Sequence, residues 1–567
     1  MYFNSLGEIL YKNKVIDSGT IRKNINRMKT YILDELNPNG IVAVAVVRNE
    51  YLIYIIFALI ECNITFLPID IKLPKERIKY MLENAGVESI IISDKNNDGI
   101  FGKYKYILET DVFDTTKYDR VFINSLEYDR PVYILYTSGS TGRPKAVTIT
   151  YKGFTNFLEA IPGVIKFEEG KKIACFTTFS FDIFFLEAVL GLVSGMMVVL
   201  ADEEEQNNPK SMIKLISENK VNMLQMTPSR MELLVMYADV ELSFMKSVNV
   251  LMLGGEKLSD DFLQLLKSKI SAKIYNMYGP TETTIWSTVS DLSNKCKVDI
   301  GKPIKNTSIY IVNENKEQVG TNKEGEILIG GAGLALGYYN QPKLTEERFI
   351  IPSFAPNERV YCTGDIGRYD EEGNLFYIGR KDSQIKIRGY RIELEEIEKI
   401  VKNIDGIISA LACVSDNNIV CFYTGKSELP EILIKDYLSL YLPDYMIPVR
   451  FFKTDKYIYT VSGKVDRKSM ADSISNMLSN IECIDATCKE KQDFVEISVI
   501  KTFNEVLKAD NITRETSLKS LGIHSFNYIQ IVVELEEKFN IEFEEDYLNL
   551  NVFSSVEEII AFIKNKF

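Results

Sequence analysis

The 567-residue sequence predicts an α/β protein of unlike units in series. A large N-terminal unit holds parallel-rich β-sheets covered by helices, with a small β-barrel. A small α+β unit follows, and an acidic all-α bundle ends the chain. Three observations carry this. From residue 1 to 381, apolar β-rich runs alternate with amphipathic segments. At GRKDSQIKIRGYRIELEEIEKIV (379–401) the pattern turns to a short strand pair leading into an acidic helix. Over 493–567, 14 acidic residues face 7 basic ones, and Ile529, Val532, Leu535 and Phe539 recur at helical spacing, with Ser525 at the expected helix start.

In chain order, GIVAVAVV, VESIIIS, PVYILYT, GMMVVLA and VNVLMLGG are apolar on both faces, as parallel strands between helix layers must be. The most apolar stretch, YLIYIIFALIECNITFLPID, is interrupted by Glu61 and Asn63; it is too short to span a bilayer and predicts a buried helix and strand. Turn-rich strands SIYIVNE, GEILIGG and NLFYIGR supply the small barrel or a distorted sheet. The segment 471–492, polar and weakly periodic, reads as a linker. The expected divisions are therefore 1–381, 382–470, the linker 471–492, and 493–567.

A net charge of −13 argues against nucleic acid or an anionic membrane as partner. The N-terminus lacks a basic region followed by an apolar one, so no signal peptide is indicated and a cytoplasmic location is expected. Eight cysteines without a CxxC predict reduced, mostly buried thiols. The single histidine, His524, rules out a histidine metal cluster. Chemistry must come from charge, carboxylates and positioning.

YILYTSGSTGRPKAV (133–147) is a strand entering a loop of glycines and hydroxyls, Thr137, Ser138, Gly139, Ser140, Thr141 and Gly142, that ends in Lys145. Amides and hydroxyls donate to phosphate oxygens, and lysine adds charge. The loop is not a Walker motif, and alone it also fits an ordinary Ser/Gly turn. NMYGPTETT (276–284) groups an aromatic for base stacking with Thr281 and with Glu282, a carboxylate suited to magnesium. YCTGD offers Asp365 to ribose hydroxyls, and SGKVDR offers Lys464 on a turn. Each of these alone is equally an exposed turn.

Taken in this order, with LGGE at 253–256 and GRKDSQIKIRGYRIE, the stretches resemble the adenylate-forming superfamily. More specifically, the chain resembles a nonribosomal peptide synthetase adenylation domain, core and C-terminal subdomain, followed by a peptidyl carrier domain of four helices. The resemblance implies ATP, magnesium and covalent 4′-phosphopantetheine as cofactors. It assigns the loop from Thr137 to Lys145, with Gly254, Gly255, Glu256, Gly279 and Tyr377, to ATP. Tyr278 is assigned to stack on adenine with Asn276 at its amino edge, and Asp365 and Arg380 to hold the ribose. Thr281 and Glu282 serve phosphate and magnesium, while Lys464 bridges the substrate carboxylate and the phosphate oxygens. Asp382 matches a subdomain hinge and Gly389 the thiol tunnel. Ser462, Cys362 and Glu395 depart from the usual asparagine, basic residue and glycine.

FTTFSFDIFFLEAV (176–189) bears on the substrate. Amino-acid activators of the family carry an aspartate here that pairs with the substrate ammonium, and Asp182 fits. A helix-capping aspartate is the plain alternative. The family's pocket positions fall on Asp182, Ile183, Leu186, Gln225, Met252, Gly254, Met277, Ile285, Trp286 and Lys464. Bulky, nearly neutral lining suits a very small substrate, and the set resembles that associated with glycine. Alanine and cysteine are the runners-up, and an acyl or aryl acid ligase fused to an acyl carrier is the other branch. Large apolar residues also suit a plain core.

LGIHS resembles the carrier motif whose serine, Ser525, receives phosphopantetheine from a separate transferase. His524 then needs no role as base, and GxSxG is absent because Phe526 holds its last position. The expected activity is ATP-dependent formation of an aminoacyl-AMP with release of pyrophosphate, then transfer to the thiol on Ser525 for peptide antibiotic or related biosynthesis. The acidic tail predicts docking of a downstream condensation or tailoring enzyme. One histidine excludes an HHxxxDG condensation domain, so a free-standing loading didomain or a module fragment is expected.

Overall fold

The structure, a computed structural model, describes residues 5–36, 40–93, 98–114, 127–139, 142–387, 389–415, 418–459, 465–474, 494–507, 509, 512–523, 525–539, 541, 543, 547, 549–550 and 552–566. They form two compact units. The first takes in 1–72, 78–137 and 144–389; the second takes in 73–77, 138–143 and 390–567. The expected boundary at 381/382 thus stands beside a division at Gly389/Tyr390, and the middle of the glycine loop belongs to the second unit.

Two large sheets dominate the first unit. One orders its strands as Lys302–Pro303, Thr288–Asp291, Lys273–Tyr278, Val250–Gly254, Met223–Met226, Lys172–Cys175, Met197–Leu200, Ile9–Tyr11 and Lys14–Ile16. From Lys273–Tyr278 to Ile9–Tyr11 every pairing is parallel. The other runs Gly337–Tyr338, Lys145–Thr150, Pro131–Thr137, Phe66–Pro68, Val42–Ala45, Ser89–Ile92 and Lys105–Leu108, parallel from Pro131–Thr137 onward. Strands buried on both faces must be apolar throughout, which is why the VILM runs were readable. The stretch around Glu61 forms the helix Glu50–Glu61, capped by the Asn49 side chain, and then the strand Phe66–Pro68. The helix is buried from Leu52 to Ile60 in the core between elements of both sheets.

A five-stranded antiparallel sheet, Thr307–Val312, Gly325–Gly331, Phe349–Ile350, Val360–Tyr369 and Leu375–Arg380, occupies the place of the expected barrel. The first strand, Ile9–Tyr11, was not foreseen; it adds to the large sheet beside Met197–Leu200.

In the second unit, strands Ile407–Ser415, Asn418–Gly425 and Arg450–Lys453 pack with helices Leu394–Val401, Glu431–Ser439 and Arg467–Asp472. The last helix runs past the expected linker start at 471, and 475–492 lie outside the described residues. The tail shows helices Phe494–Leu507, Ser525–Phe539 and Val556–Lys566; a fourth is not among the described residues. Ile529, Val532, Leu535 and Phe539 are buried, as their spacing predicts. Cys175, Cys362, Cys413 and Cys421 are buried, Cys62 is partly so and Cys296 is exposed; all six are free. Among the described residues no helix is long and apolar enough to cross a membrane.

Candidate active site

Consecutive parallel strands deliver their C-terminal ends to one edge of the large sheet, where ligands of α/β proteins bind. Gln225 registers with Met252, and Gly254 with Met277. At Gly254 a Cβ would stand 2.6 Å from the Trp286 ring and 2.6 Å from the Met277 carbonyl, so only glycine lets the indole close over this strand end. Leu186, Met252, Met277, Ile285 and Trp286 share one buried cluster, with Ile183 packed against it.

Trp286 is held there by a strained turn. Thr284 and Ile285 both adopt positive φ, 62° and 70°. For β-branched residues this costs on the order of 1–3 kcal/mol each and survives only where surrounding contacts enforce it. The Thr284 hydroxyl donates to the Gly333 carbonyl at 2.6 Å, and Trp286 N–H to Thr284 O at 2.9 Å. No sequence signal marks this turn, since such residues disfavour it.

Asp182 is buried, 9% exposed, in the segment leading into a π-helical turn at Phe185–Leu190. Burial pushes its carboxyl above the ordinary range, opposed by a hydrogen bond from the Thr281 side chain and another from the Ile183 amide; Lys386 acts on it as a nearby positive charge. Among the described residues no cation stands at ion-pair distance from it. A buried carboxylate in this state is poised for a cationic partner. Tyr133, on which Asp182 acts as a nearby charge, buries its OH without a hydrogen-bond partner, and so does Trp286 its Nε1. Gln225 is buried and bonds to Met226 O at 3.3 Å.

Glu282 is fully buried. Lys145 Nζ lies 3.6 Å from its Oε1, and Tyr338 OH donates to the same oxygen at 2.7 Å. Thr137 Oγ1, at the head of the glycine loop, is buried without a partner. Among the described residues no three His, Cys, Asp or Glu side chains gather for a metal. A lone carboxylate suits magnesium, which takes most of its ligands from phosphate and water. The donor set therefore fits a magnesium nucleotide.

Asp365 and Arg380 face each other across an antiparallel pair, and Arg380 Nη1 donates to Asp365 Oδ1 at 2.7 Å. Tyr278 OH donates to Asp365 Oδ2 at 2.6 Å, with Tyr377 beside it at 6.4 Å between rings. Arg380 also forks onto Asp382 at 2.6 and 2.8 Å, and although burial opposes it, this bond holds the Asp382 carboxyl below the usual range. Asn276 donates to Asp299 O at 2.9 Å. Glu256 accepts from Ser229 N at 3.0 Å and Ser229 Oγ at 2.6 Å, and from Gly389 N. Gly389 has φ +81°, and a Cβ there would stand 2.7 Å from Thr227.

Within the second unit, Ser138 Oγ donates to Arg391 O at 2.7 Å and Gly139 N to Glu396 Oε2 at 3.0 Å; the other Glu396 oxygen accepts from Arg77 at 2.7 Å. The loop amide thus already holds an anion. Gly142, at φ +83°, abuts Lys399. Glu396 and Arg77 were not foreseen, because their partners lie far away in sequence. Ser140, Thr141, Lys464 and His524 lie outside the described residues, and Ser525 is described only as the first residue of its helix.

A family model described as AMP-binding enzyme matches residues 20–339, and one described as phosphopantetheine attachment site matches 498–563. The chain belongs to the AMP-binding enzyme family. It is an adenylate-forming ligase with an adenylation domain that uses ATP and magnesium, followed by a carrier domain for covalent phosphopantetheine. It is 32% identical over 538 residues to a dimodular nonribosomal peptide synthase of Bacillus subtilis (strain 168), across 92% of this chain; it spans only 22% of that synthase's length. A solved nonribosomal peptide synthetase protein containing adenylation and carrier domains, bound to a vinylsulfonamide inhibitor, shares the fold. Its TM-score is 0.80, with 22% identity over 99% of this chain and 94% of that one. A solved four-domain nonribosomal peptide synthetase bound to AMP and glycine gives a TM-score of 0.60 and 26% identity, over 100% of this chain and 42% of that one.

Proposed function

We propose that the chain activates a very small amino acid, glycine, as its adenylate with release of pyrophosphate, and loads it as a thioester onto the carrier at Ser525. The observation that carries this is Asp182, a buried carboxylate with no ion pair among the described residues, set beside a cluster filled by Met277 and Trp286. An ammonium supplies the missing charge, and the filled space leaves no room for a large side chain. The synthetase solved with AMP and glycine lends support from a similar chain.

In this reading Thr137, Lys145 and the loop hold the phosphates, Tyr278, Asn276, Tyr377, Asp365 and Arg380 the nucleoside, and Thr281 and Glu282 the phosphate-bound magnesium. Magnesium neutralises charge that builds on the phosphate oxygens. Lys464 contributes a second positive charge as the carboxylate attacks, and no proton-transfer base is needed. Asp382 acts as hinge, and Gly389 lines the path of the thiol. A phosphopantetheinyl transferase primes Ser525, and a downstream condensation or tailoring enzyme takes the product from the acidic carrier.

The test is pyrophosphate release, with hydroxylamine to drain the adenylate, across the proteinogenic amino acids, benzoate and a short fatty acid. Glycine gives the highest kcat/KM. Preference for alanine or cysteine corrects the substrate, and activity only with acids lacking an amino group overturns the role of Asp182. Replacing Trp286 with Ala is expected to raise alanine use relative to glycine by about ten-fold, the worth of one accommodated methyl group; steady-state kinetics on both substrates reads it.

A pH dependence follows from burial of Asp182, which raises its pKa. Below that raised value the carboxyl is protonated in the free protein, and ammonium binding must expel the proton. The KM for glycine therefore rises as pH falls through this value and levels off above it, whereas the KM for ATP lacks that limb. Parallel KM–pH profiles for both substrates check the sign.

A further inference from the structure

Asp182 sits midway between two residues that are joined to each other. Thr177 N–H donates to Glu187 Oε2 at 2.8 Å, and Thr177 Oγ1 to Glu187 Oε1 at 2.6 Å. Each of them lies five positions from Asp182 along the chain. Glu187 is 0% exposed, burial pushes its carboxyl pKa up, and it lies in the π-helical turn Phe185–Leu190. Turns of this kind interrupt helices at functional sites, because the extra residue re-aims a side chain.

The same segment is held from its other side. Arg48 follows the strand Val42–Ala45 of the seven-stranded sheet, and its guanidinium reaches the nine-stranded sheet. Nη1 donates to Thr177 O at 2.6 Å, Nη2 to Cys175 O at 2.5 Å and Nε to Ala201 O at 2.6 Å, while its plane lies over the Phe184 ring at 5.8 Å. Thr177 is therefore pinned at amide, hydroxyl and carbonyl. An ionisable group buried at 0% exposure is costly, and helix packing alone would accept a methionine of similar volume.

We infer that Glu187, with Thr177 and Arg48, is a positioning clamp that closes the 177–187 loop and fixes Asp182 for the substrate ammonium. Glu187 is 0% exposed with both oxygens on Thr177, so its effect on the substrate runs through Asp182. The inference rests on the amino-acid reading of the Asp182 site.

The experiment measures KM for glycine and for ATP in pyrophosphate release by the full chain, with melting curves alongside, for Glu187→Met, Glu187→Gln and Thr177→Val. Met deletes both acceptors at similar volume, and Val deletes only the hydroxyl. Thr177→Val is expected to raise the glycine KM about ten-fold, the worth of one buried hydrogen bond, and Glu187→Met, which loses two, by more than that, with the ATP KM shifting less than about two-fold in both. Glu187→Gln retains the wild-type glycine KM, because a carboxamide accepts from the Thr177 amide and donates to its hydroxyl. Equal rises in both KM values, or an unchanged glycine KM in Thr177→Val, overturn the clamp. If Glu187→Met does not fold, Thr177→Val decides. Wild-type protein inactive with every amino acid overturns the substrate reading and the clamp together; active wild type with unmoved variants overturns the clamp alone.

Discussion

Asp182→Asn is expected to lower kcat/KM for glycine in pyrophosphate release by roughly 10²–10⁴-fold, with the ATP KM little changed. The variant keeps the shape and the hydrogen bonds from Thr281 and the Ile183 amide but loses the charge. The substrate ammonium is then left buried without a counter-ion, which costs about 3–5 kcal/mol, and each 1.4 kcal/mol is about ten-fold. The same substitution is expected to move stability the other way. Burial raises the folded-state pKa of Asp182, so its contribution to stability is fully present below the unfolded carboxyl pKa and is lost as pH rises through the raised folded value. At neutral pH the substrate-free Asn variant should therefore melt above wild type, and the gain should vanish at acid pH. Such opposition of stability and activity marks a group held ready for a ligand. An unchanged kcat/KM sinks the anchor role.

Ser525→Ala is expected to abolish covalent loading while pyrophosphate release with hydroxylamine continues within about two-fold of wild type. Ser525 opens the helix Ser525–Phe539, whose buried face is formed by Tyr528, Ile531, Val532 and Leu535 from further along. Loss of one hydroxyl at a helix start costs about 1 kcal/mol and leaves that core untouched. After incubation with a phosphopantetheinyl transferase and coenzyme A, intact-protein mass reads the arm, and radiolabelled glycine reads the load. Loading that persists in the variant places the arm on another residue.

The two substitutions differ in how their sites could be read. Ser525 and the glycine loop could be singled out as candidates because the chemistry expected of them is local: a loop that meets phosphate, or a serine at a helix start, needs neighbours in sequence. The strands were legible for a similar reason, since burial on both faces leaves runs such as those at Val42–Ala45 and Val250–Gly254 uniformly apolar. The hydrogen-bonded neighbours of the site were not. Arg48 meets Thr177 across 129 residues, and Glu396 meets Gly139 across 257. The left-handed turn at Thr284 and Ile285 runs against local propensity, so reading the residues there points away from the conformation observed.

The sequence by itself determined the sheet-forming runs and the succession of an adenylation and a carrier domain, and it singled out a phosphate-type loop, lone carboxylates and Ser525 as candidates, because each depends on periodicity or adjacent residues. Only the tertiary structure decided that Asp182 is buried without an ion pair among the described residues, that Trp286 closes on Gly254, and that Glu187 and Arg48 pin the loop between. Burial, pairing and strain depend on which distant segments the fold brings together, and no local pattern encodes them.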